Sequence, residues 1–263
     1  MSEPVLLDIE DGVATLTLNR PEERNALSAE FSIAIADAVE RAETADDVRC
    51  LVITGTEGTF CAGGDVSEMA ARLEKSVPLH EAVEELQLET SRAIAAVAAS
   101  PLPTIAKVDG VAYGAGANLA IATDIAVASG EAKISFGFRQ VGLGVDTGTS
   151  YLLPRQVGTS KAKELVLTGE LLDAETAEDL GLFNQVFEED FEERAAAVVE
   201  SIATGPTVAL RTSKQLIEQG FDTSLSDAIA NEAAAQAAVL ASHDHEEGAA
   251  AFLEGRKPEF EGR

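Results

Sequence analysis

The order of strand and helix patterns constrains the fold of this chain more than any other feature of its sequence. Residues 5–10 and 13–18 alternate apolar and polar side chains around Asp11-Gly12, which predicts a β-hairpin. Ser28 then precedes an apolar repeat of helical period, and the β-branched run 50–54 follows. The chain is therefore predicted to begin strand, strand, helix, strand.

Strand and helix patterns continue to alternate until about Ser160, and helical patterns dominate after it. We predict an α/β core over residues 1–200 and a C-terminal helical subdomain over residues 201–263. The elements predicted between these points are a helix-rich stretch over 80–99, short strands at 104–108, 124–129 and 133–136, a helix starting at Gly114, a helix starting at Pro206 and an Ala-rich helix over 228–241.

The charge balance disfavours whole classes of partner. The chain has 46 Asp and Glu against 19 Lys and Arg, a formal net charge of -27. Such a surface repels phosphate backbones and anionic membranes, so neither a nucleic-acid nor a membrane partner is expected. Because the acidic residues are spread along the whole chain, we interpret them as adaptation to a salt-rich cytoplasm, where charges are screened over about 3 Å at 1 M salt.

Other features of composition indicate a cytoplasmic protein without a metal. No run of about 18 apolar residues and no basic and then apolar leader are found. Cys50 and Cys61 are too few for a disulfide framework, and Cys61 is expected to be a small buried side chain rather than a nucleophile. We interpret His243-Asp244-His245 as a polar turn between helices, because no Cys lies at metal-ligand spacing.

Residues 109–120 combine a strand end with a helix start rich in small residues. Gly114 and Gly116 have the spacing of a dinucleotide-binding fingerprint, but Leu119 stands where its third glycine belongs. A tight packing contact between strand and helix is a second interpretation. Residues 60–65 form another Gly-rich turn.

Three segments resemble the crotonase superfamily, also called the enoyl-CoA hydratase/isomerase family. Residues 19–27 are similar to its opening CoA loop, and residues 60–65 and 109–120 are similar to its two oxyanion-hole turns. The match continues over 141–158 and resumes over 251–258, and so covers nearly the whole chain. The resemblance implies a spiral of ββα repeats followed by a helical trimerisation region, in a homotrimer or homohexamer.

The resemblance also implies how such a site works. The backbone N–H groups of Gly64 and Ala115 are expected to hold the oxygen of an acyl-CoA thioester and stabilise its enolate. No metal, flavin or nicotinamide cofactor is expected, because CoA arrives as part of the substrate. The implied CoA and substrate contacts are Arg24, Ala26, Leu27, Ala62, Asp65 and Lys257.

The sequence departs from the hydratase pattern at the acid–base positions. The two carboxylates of family hydratases fall at Asn118 and at or near Gln140, and an amide does not ionise near neutral pH. Asp146 instead matches the catalytic Asp of the isomerase branch, which includes the ring-opening isomerases of the phenylacetate pathway. The alternative is a turn or N-cap role before Thr147-Gly148.

We therefore predict an enzyme, an acyl-CoA isomerase in which Asp146 moves the proton. An enoyl-CoA hydratase with another water-activating group remains an alternative, as does a non-catalytic acyl-CoA-binding protein. A serine hydrolase has no support, because the chain has no Gly-x-Ser-x-Gly motif.

Overall fold

The computed structural model describes residues 3–75 and 77–263. The strands in this part of the chain are β1 (Val5–Glu10), β2 (Val13–Leu18), β3 (Cys50–Thr54), β4 (Thr104–Val108), β5 (Val111–Tyr113), β6 (Ile125–Ser129), β7 (Lys133–Ser135), β8 (Leu172–Asp173) and β9 (Gln185–Phe187). The helices are α1 (Ala29–Thr44), α2 (Val66–Lys75), α3 (Leu79–Glu85), α4 (Arg92–Ala99), α5 (Ala115–Ile121), α6 (Thr149–Thr168), α7 (Ala174–Asp179), α8 (Phe191–Ala203), α9 (Thr207–Gly220), α10 (Leu225–Val239) and α11 (His243–Glu254).

The first elements form as their sequence signals predict. Strands β1 and β2 pair antiparallel, and Asp11 and Gly12 both have the positive φ that a tight hairpin turn requires. The side chain of Ser28 accepts a hydrogen bond from the N–H of Phe31 at 3.1 Å and so caps α1. The predicted hairpin and helix start are confirmed.

Successive strands are divided between two sheets. The larger sheet has the order β1-β2-β3-β4-β6-β9, parallel except for the first pair, and the smaller has the order β5-β7-β8. Strands β4 and β5 go to different sheets, and β6 and β7 repeat that division. Each successive pair of strands therefore adds one strand to each sheet. This pattern confirms the predicted α/β spiral of ββα repeats.

The larger sheet is covered on both faces. Leu51 and Ile53 of β3 belong to the main core with α1, whereas Cys50 and Val52 face the opposite side and pack with Ala195 of α8. A strand buried on both faces is apolar at every position rather than alternating. This explains the continuous apolar run that precedes Thr54.

Helices dominate after Ser160, as predicted, but two short strands there were not predicted. Strand β8 pairs with β7, and β9 extends the larger sheet beside β6. Strands of two and three residues are too short to show a period of two in the sequence. The boundary predicted between residues 200 and 201 falls inside α8, which ends at Ala203.

Of two further local predictions, the first is confirmed and the second needs correction. The helix-rich stretch over 80–99 consists of α3, a π-helical turn over Leu86–Thr90 and α4. His243-Asp244-His245 is the first turn of α11 rather than a turn between helices, since Ser242 caps that helix by accepting a hydrogen bond from the N–H of His245. Among the described residues, no helix is both long enough and apolar enough to cross a membrane.

Candidate active site

The two Gly-rich turns singled out in the sequence lie side by side. The N–H of Cys61 donates to the carbonyl oxygen of Val111, and the N–H of Tyr113 donates to that of Cys61, both at 2.9 Å. These bonds pair Cys61 in parallel with β5. The chain therefore runs in the same direction in both segments. It continues from Cys61 toward Gly64 and from Tyr113 toward Ala115.

Glycine allows this close approach. A Cβ on Gly116 would lie 2.2 Å from the carbonyl oxygen of Cys61, so no larger residue fits between α5 and the first turn. Gly114 has φ 52° and ψ -117°, a backbone conformation that other residues adopt only with strain. The tight packing considered for residues 114–117 is thus present, and it is what brings the two turns together.

The N–H groups of Gly64 and Ala115 are available as donors. Within residues 3–75 and 77–263, neither donates a hydrogen bond to the protein. Ala115 is the first residue of α5, whose N-cap Gly114 has no capping side chain. The first N–H groups of a helix have no intrahelical acceptor and carry partial positive charge, which suits an oxygen that gains negative charge.

The loop over residues 24–27 is bonded to the first turn on both sides of Gly64. The N–H of Ala62 donates to the carbonyl oxygen of Arg24 at 3.0 Å, and the N–H of Leu27 donates to that of Gly63 at 2.7 Å. The N–H of Asp65 donates back to Leu27 at 2.9 Å. The structure therefore brings together five of the six predicted CoA and substrate contacts, which are Arg24, Ala26, Leu27, Ala62 and Asp65.

The carboxylate of Asp65 has a structural role at the start of α2. It accepts hydrogen bonds from the N–H and hydroxyl of Ser67 and lies 3.8 Å from the guanidinium of Arg20. Burial acts to raise its pKa, but the bonds from Ser67 and the charge of Arg20 outweigh it, and the net pKa is lowered. Because its carboxylate is engaged by Ser67 and Arg20, the predicted substrate contact of Asp65 is left to its main chain, which lies beside Gly64.

Lys257 is the sixth predicted contact, and the structure does not bring it to the other five. It lies exposed in the tail after α11, where its carbonyl oxygen accepts a hydrogen bond from Arg256. The tail turns back onto α11, because the buried carboxylate of Asp244 accepts hydrogen bonds from the N–H groups of Glu261 and Gly262 at 2.7 and 2.9 Å.

Asp146 lies in a loop that follows β7, the strand next to β5. Strand β7 pairs with β5, and the N–H of Gly114 donates to the carbonyl oxygen of Ser135 at 2.8 Å. The chain then makes a 3-10 turn over Phe138–Val141 and reaches Asp146, which is partly buried. Burial raises the pKa of this carboxyl, and a hydrogen bond from the hydroxyl of Thr147 at 3.1 Å opposes that shift in part.

The N-cap interpretation of Asp146 is wrong. Helix α6 begins after Gly148, and no side chain in the described part of the chain caps it. The backbone carbonyl of Asp146 accepts from the N–H of Thr149 at 3.0 Å, so its main chain closes the turn while its carboxylate does not cap the helix. The carboxylate is thus free of a capping role.

Both amides at the hydratase carboxylate positions are engaged by the protein. Asn118, with no exposed surface, donates to the hydroxyls of Thr147 and Thr149, each at 2.7 Å. Gln140 donates to the carbonyl oxygen of Gly169 at 3.0 Å. The two threonines were not predicted as site residues, although hydroxyls next to Asp146 in the sequence are a signal for hydrogen bonds to that loop.

Cys61 is buried, as predicted. Burial raises the pKa of its thiol to about 12, with a hydrogen bond from the backbone of Gly63 acting weakly in the other direction. A thiol with such a pKa stays protonated at neutral pH and is a poor nucleophile.

Comparison with known proteins agrees with this geometry. A sequence profile of the enoyl-CoA hydratase/isomerase family matches residues 8–263. The chain is 37% identical to the 1,2-epoxyphenylacetyl-CoA isomerase of Escherichia coli K12 and 35% identical to the 2,3-dehydroadipyl-CoA hydratase of the same organism, in both cases over 100% of each chain. A crystal structure of enoyl-CoA hydratase from Mycobacterium smegmatis superposes with a TM-score of 0.90 at 34% identity, covering 98% of this chain and 99% of that one.

A spiral of strands divided between two sheets, with the turns of Gly64 and Ala115 side by side, is the architecture that the resemblance to the crotonase superfamily implies. With the profile match and these relatives, the chain belongs to the enoyl-CoA hydratase/isomerase family of the crotonase superfamily.

Proposed function

We propose that the protein is an acyl-CoA isomerase that uses Asp146 to move a proton between two carbons of its substrate. The observation that carries the proposal is the pattern of acid–base groups at the positions that the family resemblance names. Amides occupy both hydratase positions, Asn118 and Gln140, and each is hydrogen-bonded to the protein. Asp146 offers a carboxylate instead, with burial raising its pKa toward the range useful for a general base.

The proposed reaction needs one base and one oxyanion hole. The N–H groups of Gly64 and Ala115 hold the thioester oxygen, which makes the proton on the neighbouring carbon acidic. Asp146 removes that proton, the negative charge spreads to the oxygen, and the same proton returns two carbons further along. A double bond moves from the 3- to the 2-position without net change in atoms. One such donor typically contributes about 3 to 4 kcal/mol to the transition state.

Substrate binding is proposed on the same basis. Arg24 carries an exposed guanidinium suited to a CoA phosphate, and the backbone of Ala26 and Leu27 lies beside the first turn. Lys257 is proposed to reach CoA from the tail or from a neighbouring subunit. The proposal includes no metal or redox cofactor, because enolate chemistry on a thioester needs none.

The proposed assembly is a homotrimer or homohexamer in the cytoplasm. Large apolar side chains on the C-terminal helices and at the end of α9 are more than half exposed, and such surfaces mark interfaces. These side chains are Ile217, Phe221, Leu225, Ile229, Phe252 and Leu253. Light scattering on the purified protein measures the assembly, and a monomer would contradict it.

Two functions of other kinds and one further isomerase reaction remain candidates. A relative at 35% identity is named a hydratase, which supports an enoyl-CoA hydratase with a different water-activating group. The relative named an epoxyphenylacetyl-CoA isomerase supports rearrangement of an aromatic-derived thioester as a further isomerase reaction. A non-catalytic acyl-CoA-binding protein would keep the donor turns but make no use of Asp146.

The experiment compares 3-hexenoyl-CoA and crotonyl-CoA as substrates at high salt. Faster conversion of 3-hexenoyl-CoA, lost in Asp146→Asn, supports the isomerase. Asp8→Asn is the matched control, because Asp8 is exposed on the edge strand β1 and its substitution changes the charge equally. Rapid hydration of crotonyl-CoA that survives Asp146→Asn would contradict the proposal, and binding without turnover would favour the non-catalytic alternative.

A further inference from the structure

The side-chain amide of Asn118 makes its hydrogen bonds with the Asp146 loop. Its nitrogen lies 2.7 Å from the hydroxyls of Thr147 and Thr149 and 3.1 Å from the carbonyl oxygen of Asp146, so one of its two N–H groups is shared between two acceptors. Its oxygen accepts from the hydroxyl of Thr149 at 3.0 Å. Because Asn118 has no exposed surface, these bonds do not compete with water.

The loop is held in a conformation that its sequence does not favour. Thr147 has φ 43°, in the left-handed region that β-branched residues rarely enter, and Gly148 follows with φ 87°. A strained residue persists only where the surrounding structure imposes its conformation, and such residues cluster at functional sites. The bond from Asn118 to the side chain of Thr147 is such a restraint.

The direction of the Thr147 hydroxyl follows from the same bond. A hydroxyl has one proton, and since the Thr147 oxygen accepts from Asn118, its proton points elsewhere. The carboxylate of Asp146, 3.1 Å away, accepts it. Asn118 thus acts on Asp146 twice, through its main-chain carbonyl and through a hydroxyl that donates to its carboxylate.

Asn118 also lies on the helix that supplies a donor of the oxyanion hole. Helix α5 begins at Ala115, and Asn118 is one turn later on this seven-residue helix. We propose that Asn118 is a positioning residue that fixes the Asp146 carboxylate relative to the Ala115 donor, and so sets where the proton is taken up and returned. This inference rests on the proposed isomerase function and deepens it.

A carboxylate at position 118 is therefore incompatible with this site. It has no proton to donate to the carbonyl oxygen of Asp146, and it takes the Thr147 proton away from the Asp146 carboxylate. We expect Asn118→Glu, which restores the residue type of the hydratase position, to lose isomerase activity without gaining hydration of crotonyl-CoA.

The main test uses Asn118→Asp, which keeps the shape of the side chain and removes its donors. We expect kcat on 3-hexenoyl-CoA to fall roughly 10- to 100-fold, the scale of small misplacements in active sites, with KM nearly unchanged. With substrate deuterated at carbon 2, the fraction of product that carries the label at carbon 4 should also fall, because a misplaced base loses its deuteron to water.

Matched variants separate positioning from folding. Thr147→Ala should reproduce the lower label transfer, and Thr147→Ser, which keeps the hydroxyl, should restore it. Thr104→Val removes another buried hydroxyl, one that donates to Asp124 at 2.9 Å on the β4 side of the larger sheet. This control should lower the Tm without changing the transferred fraction. If Asn118→Asp also left the transferred fraction and kcat unchanged, the positioning role would be excluded.

A measurement without substrate distinguishes this inference from the proposed function. The contributions to the pKa of Asp146 are burial, the Thr147 hydroxyl and its own backbone N–H, with no charged side chain of the described residues among them. Carbon-13 NMR of Asp-labelled protein, with Asp146→Asn subtracted, should show a higher pKa in Asn118→Asp. An unchanged pKa would show that Asn118 does not act on the Asp146 carboxylate. A wild-type enzyme that leaves 3-hexenoyl-CoA unconverted would overturn the proposed function instead.

Discussion

The carbonyl oxygen of Cys61 lies where a side chain on Gly116 would have to go. A Cβ at that position would approach the oxygen to 2.2 Å, and the same residue belongs to the helix that begins at Ala115. Contact between one turn and the other helix start therefore fixes the separation of the Gly64 and Ala115 donors. A single added methyl group at position 116 would therefore change this separation.

Gly116→Ala is expected to destabilise the fold by about 1 to 3 kcal/mol, the usual effect of overpacking. Because the two turns must move apart, activity should fall on the scale of losing one oxyanion donor, roughly 100- to 1000-fold. Thermal denaturation and kcat measure the two effects. Gly220→Ala is the control, since nothing lies within 4 Å of a Cβ there and its φ is unstrained. Full activity in Gly116→Ala would exclude the proposed geometry.

Asp146→Asn is expected to stabilise the protein while abolishing isomerase activity. Burial raises the pKa of Asp146, so at neutral pH the folded state bears the cost of an ionised, desolvated carboxylate. Between the unfolded and the folded pKa the native state binds more protons, so stability from this group falls as pH rises through that window. The Tm gain of Asp146→Asn should therefore be present at pH 7 and shrink in acid.

The pH dependence of activity follows from the same pKa. A base must be unprotonated, so kcat/KM should fall as pH is lowered through the folded pKa of Asp146. That acid limb should lie above the pH at which an ordinary Asp titrates, because burial raises this pKa. A flat profile down to the stability limit would show that another group takes the proton.

Asp244→Ala is expected to release the C-terminal tail. The carboxylate is 2% exposed and accepts two backbone N–H bonds, and loss of charged hydrogen bonds typically costs about 1.5 to 3 kcal/mol each. Hydrogen exchange over residues 259–263 should become faster. If Lys257 contacts CoA from this tail, KM should also rise, whereas an unchanged KM would remove Lys257 from the binding site.

Salt should stabilise the protein. With a net charge of -27, repulsion among surface carboxylates opposes folding, and the screening length shortens to about 3 Å at 1 M salt. We expect the Tm to rise steadily as KCl is added. Full stability in dilute buffer would contradict the interpretation of the charge as adaptation to salt.

Much of the fold was predictable because its signals are local. The Asp-Gly turn, the Ser28 cap and the buried stripe that begins at Phe31 all depend on residues close in sequence. The strands β8 and β9 were missed because two or three residues show no periodicity, and only their pairing with distant strands defines them. Pairing between strands that are far apart in the sequence leaves no local pattern from which it could be predicted.

The residues of the candidate site also fall into those that the sequence indicates and those that only the structure shows. The resemblance to the crotonase superfamily pointed to Gly64, Ala115 and Asp146, and the structure places the first two in adjacent turns. The role of Asn118 could not be predicted, because a buried amide is assigned by its partners and those lie about 30 residues further on, in Thr147 and Thr149.

The late position of α8 and β9 along the chain affects synthesis as well as stability. Cys50 and Val52 of β3 are covered only when α8 arrives, more than 140 residues downstream, and β6 gains its second neighbour only with β9. Until the ribosome has released residue 203, a nascent chain therefore exposes one apolar face and one open strand edge of the larger sheet. Such intermediates are prone to aggregate, so we expect chains shortened before α8 to be insoluble and to depend on chaperones.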